Sequence, residues 1–180
     1  YTRDSWLALA EKRGVMAHDS DTLADRGSER RTFEQILARA LRSKGNLLTL
    51  AQCAKQLQLG IVEQRARDQV SEKSVVTDID RGRALWNVLE DAIDRLRPAD
   101  LEPEPTPAWR LYSVVSGFYV QGKSVQELAT ELEISPHTLY RERRAALEAL
   151  STVVWQVEQQ RRLLSIGKRD APPSPNRVHH

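Results

Sequence analysis

Two helix-capping signals, at Ser124 and Ser135, stand so close together that they constrain the chain path more tightly than any other feature of the sequence. Ser124 suits an N-cap, and Glu127 sits three residues on, where its carboxylate completes a capping box. Val125, Leu128, Ala129 and Leu132 follow at helical spacing and give a short helix one apolar face. Glu133 ends that helix, and Ile134 is placed to plug the gap before the next. Ser135 caps the second helix, with Pro136 at its first position, where a missing N–H is no loss. Leu139, Ala146, Leu147 and Leu150 continue the inward stripe, and small Ala129 permits the close approach that steeply crossing helices need. The pattern predicts two helices meeting at a tight turn.

A helix of this kind fits a DNA major groove, which is about 12 Å wide. The outward start of the second helix carries Pro136, His137, Thr138, Tyr140, Arg141 and Arg144. Arg pairs bidentately with guanine, Thr offers a hydroxyl or methyl contact, and free amides at a helix start favour a phosphate. Arg141 and Thr138 are therefore the expected readers of base edges. His137 and Arg144 contact bases or phosphate, while Lys123, Ser135 and Tyr140 position the backbone.

The segment resembles the helix-turn-helix of sigma-factor region 4 and of LuxR-type regulators. A second likeness covers most of the chain. It runs through an Arg-rich amphipathic helix (Arg81 to Leu96), a proline-rich link and the start Trp109-Arg110-Leu111-Tyr112, then Gly122 to Ala129 and Ile134 to Leu150. In that order the chain is similar to a helical module of bacterial regulators found beside a signal-responsive ATPase and repeat domains. The resemblance implies DNA binding and transcriptional control. It assigns Ser135 to the cap, His137, Thr138, Arg141 and Arg144 to the reading face, and Ala129 to the small packing position. Two residues depart from the pattern: Arg143 stands where an apolar residue is preferred, and Glu142 where sigma-type helices often carry an aliphatic one.

The remaining sequence reads as all-α. A first helix is expected over Ser5 to Lys12, stopped by Arg13-Gly14, and the polar run His18 to Ser28 reads as a loop. Thr32 and Gln35 suggest a capping box ahead of Phe33, Ile36, Leu37, Ala40 and Leu41, with the end at Ser43 to Asn46. Thr49 and Gln52 repeat that signal before Ala51, Ala54, Leu57 and Leu59, in a unit ending at Gly60. Ile61 to Thr77 is too mixed in charge to define a face. Asp80 is the expected cap of a helix through Leu96, with Leu85, Val88, Leu89, Ala92, Ile93 and Leu96 inward and Trp86 adjoining them. Four prolines between residues 98 and 107 favour an extended link. Ala108 to Gln121 reads as a helix in which Gly117 allows close packing, and Gly122 marks its end. The last helix runs from Pro136 through Glu158 or Leu164, well beyond what a recognition helix requires. The expected organisation is a helical domain over 1–97, a linker over 98–107, a helix-turn-helix domain with an extended last helix over 108–164, and a disordered tail over 165–180.

Composition narrows the function classes. A net charge of +2 from 27 basic and 25 acidic residues says little about partners, although Pro136 to His180 holds eight Lys or Arg against four acidic residues. Cys53 is alone, so no internal disulfide is expected and a buried thiol is. No stretch approaches the roughly 20 apolar residues of a membrane span, and no signal-peptide pattern occurs, which favours the cytoplasm and no membrane. His18, His137, His179 and His180 lack zinc-site spacing, and Asp78 and Asp80 lack the company of a calcium loop. No catalytic residue, metal or cofactor is expected, and the chain reads as part of a larger bacterial regulator. Its expected partner is double-stranded DNA, bound sequence-specifically, with residues 150–164 packing on the N-terminal helices or serving self-association or a neighbouring regulatory domain. The alternative is a helical protein-interaction or signal-transmitting module that does not bind DNA, which near-neutral charge favours.

Overall fold

Helix start signals and glycine-marked turns set most of the element boundaries in the computed structural model. It describes the backbone of residues 19–70, 74–99 and 106–169, and side chains from residue 29 to residue 165 within those ranges. The expected helix at Ser5 to Lys12, most of the proline-rich link and the end of the tail lie outside the described residues. Tyr1–Thr32 and Phe33–His180 are two compact units. All regular structure among the described residues is helical, with no strand.

Helix α1 spans Asp19–Arg42. It corrects two expectations, since His18 to Ser28 is helical from Asp19 onward and Thr32 lies inside the helix rather than capping it. The strong apolar segment Phe33 to Leu41 supplies the costly nucleus, and a proline-free run ahead of it lets the helix propagate backward. Leu37, Ala40 and Leu41 are buried as the spacing requires. Gly45, at φ +86°, turns the chain into α2, Leu47–Leu57. Its cap is Asn46, whose Oδ1 accepts from the Thr49 N–H at 3.1 Å; the expected cap at Thr49 is one helical turn too late.

The ambiguous stretch after Leu59 resolves into α3, Gly60–Asp68, a short helix that buries Val62 and Ala66. Helix α4, Asp78–Arg95, begins at Thr77 and not at Asp80. Asp80 is the reciprocal partner: its N–H donates to Thr77 Oγ1 at 3.2 Å, and the Thr77 N–H donates to Asp80 Oδ2 at 2.9 Å. Leu85, Val88, Leu89, Ala92 and Ile93 form its buried face. Helix α4 lies tightly on α2, because Gly82 presents no side chain to Leu47 O; a Cβ there would stand 2.5 Å from that oxygen.

Helix α5, Pro107–Val115, is capped by Thr106 and passes into a single π-helical turn, Ser116–Val120. Short α6, Val125–Glu131, and long α7, Pro136–Arg169, complete the order. Helix α7 packs along α5 and reaches α3, α4 and α6, burying Leu139, Ala146, Leu150 and Val154. One hydrophobic cluster therefore runs from Leu37 through Val154, on both sides of the proline-rich segment. Of the stretch 150–164, the part through Glu158 returns onto the earlier helices: Glu158 is 1% exposed and accepts a hydrogen bond from the Ile61 N–H at the start of α3, whereas Leu163 and Leu164 stay exposed.

Candidate nucleic-acid interface

The α6–α7 corner is built from local hydrogen bonds. The Ser124–Glu127 capping box forms in full, with the Glu127 N–H donating to Ser124 Oγ at 3.2 Å and the Ser124 N–H to Glu127 Oε2 at 2.7 Å. The Ser124 N–H and hydroxyl hold the Glu127 carboxyl below its usual range. Glu133 takes φ +53°, which turns the chain out of α6, and the Ile134 N–H returns to Ala129 O at 3.0 Å. Ile134 is half-buried, as a plug between helices must be. Ser135 Oγ then accepts from the Thr138 N–H at 3.1 Å and caps α7.

Behind this corner, the π turn and α6 meet at a bare backbone. Gly117 is buried, and a Cβ on it would stand 2.7 Å from Leu128 Cδ1. Lys44, from the end of α1, donates to Val120 O at 2.7 Å and stands 5.5 Å from the centre of the Trp86 ring. Arg143 Nε donates to the Tyr119 hydroxyl at 2.9 Å, and its guanidinium lies 4.8 Å from the Phe118 ring centre. The Arg143 contacts fix the first turns of α7 against the π turn, and Lys44 ties that turn to the end of α1 and to α4.

The eight expected site residues fall into two groups. Ser135, Pro136, His137, Tyr140, Arg141 and Arg144 are exposed together on the first turns of α7. Arg144 lies 3.6 Å from Glu148 in an open ion pair, and Arg141 forms no ion pair among the described residues. Lys123 and Thr138 are half-buried and already engaged. Lys123 pairs with Glu131, and Thr138 Oγ1 lies 2.9 Å from Ser135 Oγ. Sequence reasoning missed Lys44, whose partner is 76 residues away. It registered Arg143 only as a break in pattern, and that break is the signal of its role.

Other chemistry is sparse. Among the described residues, no group of three or more His, Cys, Asp or Glu is placed to hold a metal ion, and no helix is long and apolar enough to cross a membrane. Cys53 is fully buried, and burial pushes its thiol up against the opposing influence of Arg39. No protein-family model, curated protein or solved structure matches this chain.

Proposed function

We propose that this chain binds double-stranded DNA sequence-specifically in transcription regulation, with α6 and α7 serving as a helix-turn-helix and α7 as its extended recognition helix. The observation that carries this is the outward array His137, Tyr140, Arg141 and Arg144 on the first turns of a Ser-capped, proline-started helix. Arg141 suits a guanine edge, and Arg144 needs only to exchange an exposed Glu148 for phosphate or base. The cap holds the backbone while these side chains enter the groove, and Lys123 and Thr138 support the corner.

The test is binding of the wild type and of an Arg141→Ala/Arg144→Ala variant to genomic fragments across a salt series. Specific affinity should fall by about 5- to 150-fold per lost base contact, with a shallower salt slope and unchanged helicity. Absence of any salt-dependent binding overturns the proposal. A protein-interaction module is the second reading. It is favoured by the Lys123–Glu131 and Arg144–Glu148 pairs, which already satisfy two of the three cations at the corner. That module would leave the salt series flat.

A further inference from the structure

The helix that begins at Pro107 changes its hydrogen-bond register at its end. In an α-helix the Gln121 N–H would donate four residues back, to Gly117 O. It donates instead to Ser116 O, five residues back, at 2.9 Å, which is the bond that makes the π turn. Gly117 O is thereby left to the Lys123 N–H, which reaches it at 2.9 Å from beyond Gly122. A second arrangement of the same segment moves each donor along by one carbonyl, Gln121 N–H to Gly117 O and Lys123 N–H to Phe118 O. Each backbone N–H has one proton to donate, so the segment holds one register at a time. The π register is the rarer of the two, so contacts outside the helix must favour it. Lys44 Nζ, seated over the Trp86 ring of α4, donates to Val120 O at 2.7 Å. Arg143 Nε donates to the Tyr119 hydroxyl at 2.9 Å, with its guanidinium beside the Phe118 and Tyr119 rings. Gln121 Nε2 donates to Ser116 Oγ at 3.3 Å, and Leu128 of α6 packs on the bare Gly117.

We propose that the π turn is a two-register joint that couples the end of α1 to the start of α7. The π register holds while Lys44 and Arg143 are both engaged, and releasing either lets the segment relax to the α register. Coupling between separate sites needs one element with two discrete arrangements that both sites bias, and this turn supplies it. Lys44 and Arg143 grip consecutive residues of the turn from different helices, so a change of register shifts Val120 O away from one and Tyr119 away from the other. The same change draws the Lys123 N–H, next to the Ser124 cap, onto a different carbonyl and so re-aims the entry to α6. Lys44 is exposed and Arg143 half-buried, which makes Lys44 the grip that a solute or a neighbouring domain reaches. The inference concerns the free protein and does not depend on DNA binding.

NMR couplings across hydrogen bonds, with amide hydrogen exchange, test it on the labelled full chain without DNA. In the wild type the Gln121 amide should couple to the Ser116 carbonyl and the Lys123 amide to that of Gly117. Lys44→Met keeps an apolar stem against Trp86 and removes the donor. It should speed exchange at Gln121 and Lys123 by about 10- to 150-fold, the worth of one hydrogen bond from a charged group. It should also bring up the Gln121–Gly117 coupling and alter the Arg143 Nε–H signal. Arg143→Ala should speed the same two amides, and adding Lys44→Met to it should bring little more, since the turn has already changed register. Tyr119→Phe removes the same side-chain hydrogen bond with less disturbance and replaces Arg143→Ala if that variant does not fold. A Ser116 coupling that survives Lys44→Met, an Arg143 signal that does not respond, or exchange effects that simply multiply in the double variant overturns the proposal.

Discussion

The Ile61 N–H donates to Glu158 Oε2 at 2.9 Å, joining the start of α3 to α7 across 97 residues of sequence. The carboxylate answers one of the unsatisfied amides of α3's first turn and places negative charge where a helix dipole favours it. Arg161 and Arg162 complete its shell from α7 itself. Glu158→Gln keeps the shape and removes the charge. It should destabilise the fold by about 1.5–3 kcal/mol, the usual range for a hydrogen bond to a charged group. Urea unfolding at neutral pH measures this, and a variant as stable as the wild type would show that the carboxylate contributes only shape.

Acid should erase that difference. Burial pushes the Glu158 carboxyl up, but the Ile61 N–H and the two arginines outweigh it and leave the group below its usual range. Its stabilising contribution is therefore complete above the unfolded carboxyl value of about 4.3 and is lost as pH falls through the lower folded value. Asp78, held down chiefly by its hydrogen bond from Lys55, and Asp80, held down by Thr77, add to the same acid sensitivity. The gap in unfolding midpoint between wild type and Glu158→Gln should be constant from pH 7 to 5 and close below about pH 4. A gap unchanged at low pH would assign the effect to packing.

Two buried glycines should respond differently to alanine. At Gly82 the new methyl meets Leu47 O at 2.5 Å and Ala51 N at 3.1 Å, both backbone, so α2 and α4 must separate. Gly82→Ala should destabilise by about 2 kcal/mol or more, despite the roughly 1 kcal/mol that alanine adds to helix propensity. At Gly117 the neighbours are the terminal methyls of Leu128, which can shift, so the net effect should stay within about 1 kcal/mol. Thermal melts of the two variants side by side test the ranking.

What the sequence made legible was local. The Ser124–Glu127 box, the Ser135–Pro136 start and the inward face of α4 depend on residues three or four apart, and all appear in the structure. The caps of α2 and α4 were displaced by three residues for a physical reason. Thr49 and Asp80 are good capping types, yet here each is the residue whose N–H points back to the true cap, Asn46 or Thr77. Helix α3 escaped because its buried face is only Val62 and Ala66 amid charge, and the stability of so short a helix comes from tertiary contacts. Glu158 and Lys44 escaped because their partners are distant in sequence. At the candidate interface, helical period was enough to expose Arg141 and Arg144, but it held no sign that Glu131 would engage Lys123.

Arg143 and Arg141 are two residues apart on α7 and should separate stability from binding. Arg143 is half-buried, with its guanidinium beside the Phe118 and Tyr119 rings at 4.8 and 5.3 Å and its Nε on the Tyr119 hydroxyl. A planar, weakly hydrated cation fills a place where an apolar side chain would otherwise be expected. Arg143→Ala should destabilise by about 1–3 kcal/mol, combining the lost hydrogen bond with the lost ring contact. Arg143→Lys should recover little, because an ammonium does not stack as a plane. Arg141→Ala, at an exposed position, should change stability by no more than about 0.5 kcal/mol. A double-mutant cycle of Arg143→Ala with Tyr119→Phe should show a coupling of about 1 kcal/mol in urea unfolding. Zero coupling would mean that Arg143 is held by the rings alone, and the hydroxyl contact would then contribute nothing to placing the first turns of α7.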